Sequence, residues 1–174
     1  MTRILLDENG IRETLERLAG EIAASIPSAC TVAIVGIRRR GDELARRLLP
    51  LFEKRGVKGA AYGSLDITLY RDDLAEIGPS AVVRTTEIDF DIGGTYLVLV
   101  DDVIYTGRST RAALQALIDL GRPRAIRLAV LVDRGGREFP IQPDFTGIRA
   151  PSDNQHVTVF LTETDGFDRV EVFG

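Results

Sequence analysis

Apolar and polar positions follow two rhythms along this chain. Ile11, Leu15, Leu18, Ile22 and Ile26 recur at spacings of three and four, so residues 10–26 predict one amphipathic helix. Asn9 or Asp7 is placed to cap its start, and Pro27 stops it. Residues 31–37 (TVAIVGI), 96–102 (YLVLVDD) and 125–132 (AIRLAVLV) are short continuous apolar runs, the pattern of strands buried on both faces. Residues 60–69 predict a further strand. A second helix follows Gly41, capped by Asp42 and running toward Leu49, with a stop or kink at Pro50. A third spans 109–120, with Ala113, Leu114, Leu117 and Ile118 inward and Gly121 and Pro123 ending it.

The remaining stretches read as follows. Residues 71–80 form a loop, and 81–92 a hairpin partner carrying Arg84 and Glu87. Residues 140–151, with three prolines, form an irregular cover. Residues 156–162 and 168–173 alternate as strands around a turn near Asp165 and Gly166. Strands alternating with helices imply an α/β fold with a mainly parallel sheet. The whole chain, 1–174, is one domain by its length.

Three strand ends then converge on one crevice: 36–41, 101–109 and 133–137. The central one carries the most chemistry. Leu97 to Val100 run into Asp101 and Asp102; Thr106 and Gly107 make a turn; Ser109 opens the helix. Backbone N–H groups, the hydroxyls of Thr106, Ser109 and Thr110, and a helix N-terminus together suit a phosphate dianion. The two carboxylates repel phosphate, so they suit hydroxyl groups or a magnesium ion beside it. A phosphorylated sugar satisfies both halves. The Gly-Lys-Ser/Thr of a nucleotide P-loop and the glycine spacing of a dinucleotide site are both absent. Arg38, Arg39, Arg40 and Gly41 end the preceding strand, where guanidinium and backbone N–H groups suit a diphosphate.

Composition narrows the classes. A hydrophobic share of 44% and a charged share of 28% are ordinary for a globular protein. No apolar run reaches the length of a membrane span, and the N-terminus lacks an export signal, so a cytoplasmic location is expected. Cys30 stands alone, which excludes an internal disulfide or a cysteine-rich metal site, and reads as a small core residue. His156 reads as a cap or surface residue. Residues 1–60 carry 11 Lys+Arg against 8 Asp+Glu, and residues 61–174 carry 11 against 18. The small basic excess near the front is met by solvated helix faces and does not by itself indicate nucleic acid.

VLVDDVIYTGRST, residues 98–110, resembles the phosphoribosyl-pyrophosphate (PRPP) signature of type I phosphoribosyltransferases. It is most similar to the family of pyrimidine-operon attenuation proteins that are also uracil phosphoribosyltransferases. LDITLYRDDL (65–74) and LAVLVDRGGREFPI (128–141) extend the resemblance over nearly the whole chain. The resemblance implies a type I phosphoribosyltransferase fold with a small hood or hairpin, and a mobile segment near 71–92 that closes over substrate. It implies the reaction of uracil with PRPP to give UMP and diphosphate. Asp101 and Asp102 would hold the ribose hydroxyls, and with Arg40 would carry catalysis. Arg39, Arg40 and Gly41 would bind diphosphate. Thr106, Gly107, Arg108, Ser109 and Thr110 would bind the 5-phosphate, with Tyr105 in the same site. Backbone groups at Val132, Asp133 and Arg134 would read uracil. Mg2+ would be bound mainly through PRPP, with no residue assigned as its ligand.

The resemblance also implies a homodimer or larger homo-oligomer, and binding of pyrimidine-operon mRNA when UMP is present. This chain departs from the RNA-binding pattern. Glu16 stands where threonine is usual, Gly20 and Gly136 where histidine is usual, and Gln142 where arginine is usual. Losing cations and gaining a carboxylate weaken phosphate affinity. Arg39 also replaces a usual threonine, which adds charge to the diphosphate loop. Two alternatives accompany the main reading: an RNA-binding attenuator that senses UMP and PRPP with weak catalysis, and a phosphoribosyltransferase for another base.

Overall fold

The computed structural model describes residues 1–73 and 86–174. In chain order the elements are Thr2–Leu6 (β1), Glu8–Ser25 (α1), Val32–Ile37 (β2), Gly41–Lys54 (α2), Ala61–Leu65 (β3), a 3-10 turn Thr68–Tyr70, Tyr96–Ile104 (β4), Arg108–Leu120 (α3), Ala125–Asp133 (β5), Phe145–Arg149 (β6), His156–Phe160 (β7), Thr162–Asp165 (α4) and Arg169–Phe173 (β8). Among the described residues, five strands form one parallel sheet in the order β3-β2-β4-β5-β6. The other three form an antiparallel sheet, β1-β8-β7.

Strand pleating sorts side chains into two cores. Ile34, Val98, Val100, Ala129 and Leu131 face α1 and α2, where they meet Ile11, Leu18, Leu44, Leu48 and Phe52. Their neighbours Ala33, Val35, Leu97, Leu99, Leu128 and Val130 face α3, against Ala112, Ala113, Ala116 and Leu117. Both faces are therefore covered, which is why these strands read as unbroken apolar runs. The antiparallel sheet packs Val157, Val159, Val170 and Val172 into the first core. Arg47 of α2 clamps it there. Its guanidinium donates to Glu163 at 2.5 and 2.8 Å and to Asp168 at 2.5 and 2.8 Å. Those bonds hold the Asp168 carboxyl down at about 2. Among the described residues, no helix is long and apolar enough to cross a membrane.

Several local expectations change. Asp7, not Asn9, caps α1 by accepting from the Gly10 N–H at 2.8 Å. Asp42 does not cap α2; Arg40 is the N-cap and Asp42 lies in the first turn, where its charge still meets the helix's positive end. Helix α2 runs through Pro50 to Lys54, because Leu48 and Phe52 on either side are both buried against the sheet. The expected 60–69 strand stops at Leu65, and β4 runs on to Ile104. Helix α3 opens at Arg108, one residue before Ser109, and Ile118 is 65% exposed rather than inward. Ala113 and Leu117 are buried as expected, and Thr110, Ala112 and Ala116 join them.

The 140–151 stretch contains β6, paired in parallel with β5, so it extends the sheet instead of merely covering the site. Residues 2–6 are a strand that polar flanks concealed. Cys30 is half-buried at the margin of the first core, and His156 is exposed. Of the expected 81–92 partner, Glu87 bridges Ser64 in antiparallel fashion; Arg84 lies outside the described residues.

Strand order reverses direction between β2 and β4, since β3 lies to one side of them and β5 to the other. Open α/β sheets bind ligands at the strand C-termini at such a reversal. Gly36 lets the loop after β2 fold tightly there: a Cβ on it would lie 2.3 Å from both the Asp42 Cα and the Gly41 carbonyl oxygen. Gly36→Ala should therefore cost about 2–3 kcal/mol by overpacking. Urea denaturation of the variant, read beside the parent chain, checks that value.

Candidate active site

Four segments meet at the C-terminal edge of the parallel sheet. The first is Arg38 to Gly41, after β2. Gly41 lies against β4 so closely that a Cβ would be 2.5 Å from the Val100 carbonyl oxygen. The loop is thereby held beside Asp101. The Arg38–Arg39 peptide is cis, and Arg40 has φ 73°. Arg38 donates to Ser64 Oγ at 3.0 Å and pairs with Glu87 at 3.3 Å. Arg40 donates to both oxygens of Asp165, at 2.9 and 3.3 Å. Arg39 is exposed, makes no ion pair among the described residues, and lines the cavity in front of the loop.

The second segment is the end of β4. Asp101 is buried and Asp102 half-buried. The Asp102 N–H donates to Asp101 Oδ1 at 2.9 Å, and the Val103 N–H to Asp102 Oδ1 at 2.8 Å. Burial, and then the neighbouring Asp102 carboxylate, push the Asp101 carboxyl well above its ordinary value. Burial also raises Asp102, opposed by hydrogen bonds from Asp101 and the Val103 N–H and by the charge of Arg40. Two like charges this close oppose each other's ionisation.

The third segment turns into α3. Gly107 adopts φ 89°, a left-handed conformation that glycine takes freely, and serves as the helix N-cap. Tyr105 to Thr110, with Asp101, line a cavity of about 170 Å³. The first-turn N–H groups of α3 have no partner within the helix and are placed to receive an anion. The Arg108 guanidinium points elsewhere: it pairs with Asp72 at 2.5 Å and Glu138 at 2.6 Å.

The fourth segment follows β5. Val132 is fully buried, and the Asp133 carboxylate is engaged by Arg137 at 2.8 Å and the Gly135 N–H at 2.9 Å. Arg134 lies over the Tyr105 ring. This segment is tied to the turn before α3, because the Glu138 and Phe139 N–H groups both donate to the Thr106 carbonyl.

A second cavity, of about 320 Å³, lies between the first two segments and the end of β3. Asp101, Asp102 and Ser109 line it together with Arg38, Arg39, Asp66, Thr68 and Arg71. The last three were not singled out from the sequence. The signal was available for Asp66, which ends an apolar run just as Asp101 does. Asp165 was also missed; nothing local to it announces a pairing with Arg40 across 125 residues.

Residues 2–163 match the family described as Phosphoribosyl transferase domain. The chain belongs to this family. Among similar phosphoribosyl transferase domain proteins is the Bifunctional protein PyrR of Thermus aquaticus, 52% identical over 170 residues, spanning 97% of this chain and 94% of that one. The Bifunctional protein PyrR of Pelotomaculum thermopropionicum is 50% identical over 169 residues, spanning 97% and 93%. The hypoxanthine phosphoribosyltransferase of Trypanosoma cruzi superposes with a TM-score of 0.74 at 17% identity, spanning 98% of this chain and 95% of that one. That likeness shows the type I phosphoribosyltransferase fold.

The acid pair of this phosphoribosyl transferase domain has a measurable signature. A carboxyl whose folded pKa is raised costs stability above that pKa, and the cost vanishes below the ordinary carboxyl value near about 4. Asp101→Asn should therefore raise Tm at pH 7.5, and the gain should shrink as the pH falls toward 4. Thermal unfolding across that range checks it.

Proposed function

We propose that this chain transfers a phosphoribosyl group from PRPP to uracil, giving UMP and diphosphate, as one phosphoribosyltransferase unit over residues 1–174. The observation that carries the reading is the pair of adjoining cavities that share Asp101 and Ser109. One is ringed by the N–H groups and hydroxyls of a helix N-terminus and fits the 5-phosphate. The other sets Asp101, Asp102 and Asp66 beside three arginines and fits ribose hydroxyls flanked by a diphosphate.

In this reading Thr106, Gly107, Arg108, Ser109 and Thr110 seat the 5-phosphate, mostly through backbone groups, with Tyr105 beside them. Asp101 and Asp102 accept from the ribose hydroxyls. Arg39, Arg40 and Gly41 meet the diphosphate. As the bond from ribose C1 to diphosphate breaks, positive charge grows on the sugar and negative charge on the leaving group. The acid pair stabilises the first, and the arginine loop stabilises the second. Backbone groups at Val132, Asp133 and Arg134 read the base. Among the described residues no cluster of three or more His, Cys, Asp or Glu side chains is placed to hold a metal. The donors that fit Mg2+ are the Asp101–Asp102 pair together with oxygens of PRPP. The ion, when bound, neutralises diphosphate charge. The reading places the chain in the cytoplasm. Exposed Ile118 and Leu120, beside Pro123 and Ile126, support a homo-oligomer.

Incubating the chain with PRPP and uracil, hypoxanthine, guanine or orotate in turn tests the assignment. Uracil should be consumed at least about a hundredfold faster than the others; preference for a purine would overturn it. Changing Asp101 and Asp102 together to asparagine should cut kcat/KM by about three orders of magnitude. The circular dichroism spectrum should be unchanged.

A second reading adds UMP-dependent binding of pyrimidine-operon mRNA. The word bifunctional in the names of the relatives supports it. Glu16, Gly20, Gly136 and Gln142 weigh against it. The Arg55 guanidinium, however, reaches over Gly20 and donates to the Glu16 carbonyl at 3.0 Å, which puts a cation on that face. A mobility-shift assay at physiological salt should show retention of RNA only when UMP is present.

A further inference from the structure

Tyr105 is the residue of the phosphate loop whose ring leaves that loop. It lies beneath the guanidinium of Arg134, with Cζ 3.9 Å from the ring centroid. Gly136 lies against the same ring. A Cβ built there would meet the tyrosine Cε2 at 2.3 Å, Cδ2 at 2.9 Å and Cζ at 3.3 Å. Contacts under 3.0 Å do not occur in practice, so a side chain at position 136 would make the ring shift from this position. The main chain is fixed as firmly. Arg137 donates to the Tyr105 carbonyl at 2.9 Å, and the Arg134 N–H donates to the Ile104 carbonyl at 2.9 Å.

Arg134 also differs from the arginines around it. Arg38, Arg40, Arg108 and Arg137 each face a carboxylate. Arg134 makes no ion pair among the described residues, and its Nε is buried without a hydrogen-bond partner. A guanidinium stacked on one face and free of a carboxylate keeps in-plane N–H donors for acceptor oxygens. Both residues stand at the end of β4 or β5, on the ligand edge of the sheet.

We propose that Tyr105 is a positioning residue rather than a phosphate ligand: its ring, given room by Gly136, holds Arg134 so that the guanidinium donates to a carbonyl oxygen of the incoming base. This rests on the base-transfer reading above. It adds a specificity device to that reading: Gly136 acts on Tyr105, Tyr105 on Arg134, and Arg134 on the base. Uracil has two carbonyl acceptors, so the device favours an oxo-pyrimidine over a base with an amino group in the same place.

Steady-state kinetics with base and PRPP varied in turn tests the chain of contacts. The parent enzyme comes first. If it uses another base and not uracil, the uracil assignment fails, and the positioning test is run on that other base. Tyr105→Leu should raise KM for the base about tenfold, as loss of a cation–π contact in a partly dry site implies, while KM for PRPP stays within about twofold. Tyr105→Phe keeps the ring and should recover most of that loss. Arg134→Lys keeps the charge without the planar fork and should behave like Tyr105→Leu. Gly136→Ala should reproduce the rise in base KM in the parent chain and add nothing in the Tyr105→Leu background. Alanine at φ 70° lowers Tm in both backgrounds, so backbone strain is read separately from ring displacement. A rise in PRPP KM instead of base KM, additive effects of the two changes, or no change in either KM overturns the proposal. Should Tyr105→Leu not fold, Arg134→Gln and Gly136→Ala carry the same comparison.

Discussion

Everything at the ligand edge depends on the parallel pairing of β2 with β4. Gly36 sits opposite Val100 in that ladder, and Gly41 returns to touch the same Val100 carbonyl. The Arg38–Gly41 loop is thus pressed onto the strand that carries the acids. A basic loop and an acidic strand end are brought into one crevice. The cores above and below make this rigid: β4 is buried on both faces and moves only with the whole sheet.

Charge at the crevice is organised by pairing. Arg40, Arg108 and Arg137 are each tied to a carboxylate on another segment or on their own loop, so most of the positive charge is structural in the free protein. Arg39 and Arg134 make no such pair among the described residues. They stand on opposite sides of the acids, one after β2 and one after β5. Within this field, burial and the neighbouring Asp102 carboxylate raise the Asp101 carboxyl above its ordinary value. A site of this kind suits a reaction in which charge appears only as a bond breaks.

The central unit was legible because its signals are local. An apolar run ending in two acids, then Thr106-Gly107, then a helical pattern, occupies fourteen consecutive residues and needs no distant partner. What the sequence concealed depends on partners far away. Residues 2–6 are a short apolar stretch between polar flanks, and show as a strand only when Arg169–Phe173 pairs with them. The prolines of 140–151 disguise β6, whose ladder with β5 avoids them. Pro50 reads as a stop, yet tertiary burial of Leu48 and Phe52 carries α2 past it. Within the site, Arg40 and Arg108 were visible as basic residues on ligand loops. Their engagement with Asp165 and Asp72 was not, because side-chain direction is set by packing and not by order along the chain.

The pairing of β1 with β8 bears on how the molecule is made. The ribosome releases residues 2–6 well before residues 169–173. At about 5–20 residues per second, the early strand waits roughly ten to thirty seconds for its mate. The Thr162–Asp165 turn, which carries the partner of Arg40, is also made late. The carboxylate that holds Arg40 therefore becomes available only after every strand of the parallel sheet has been synthesised.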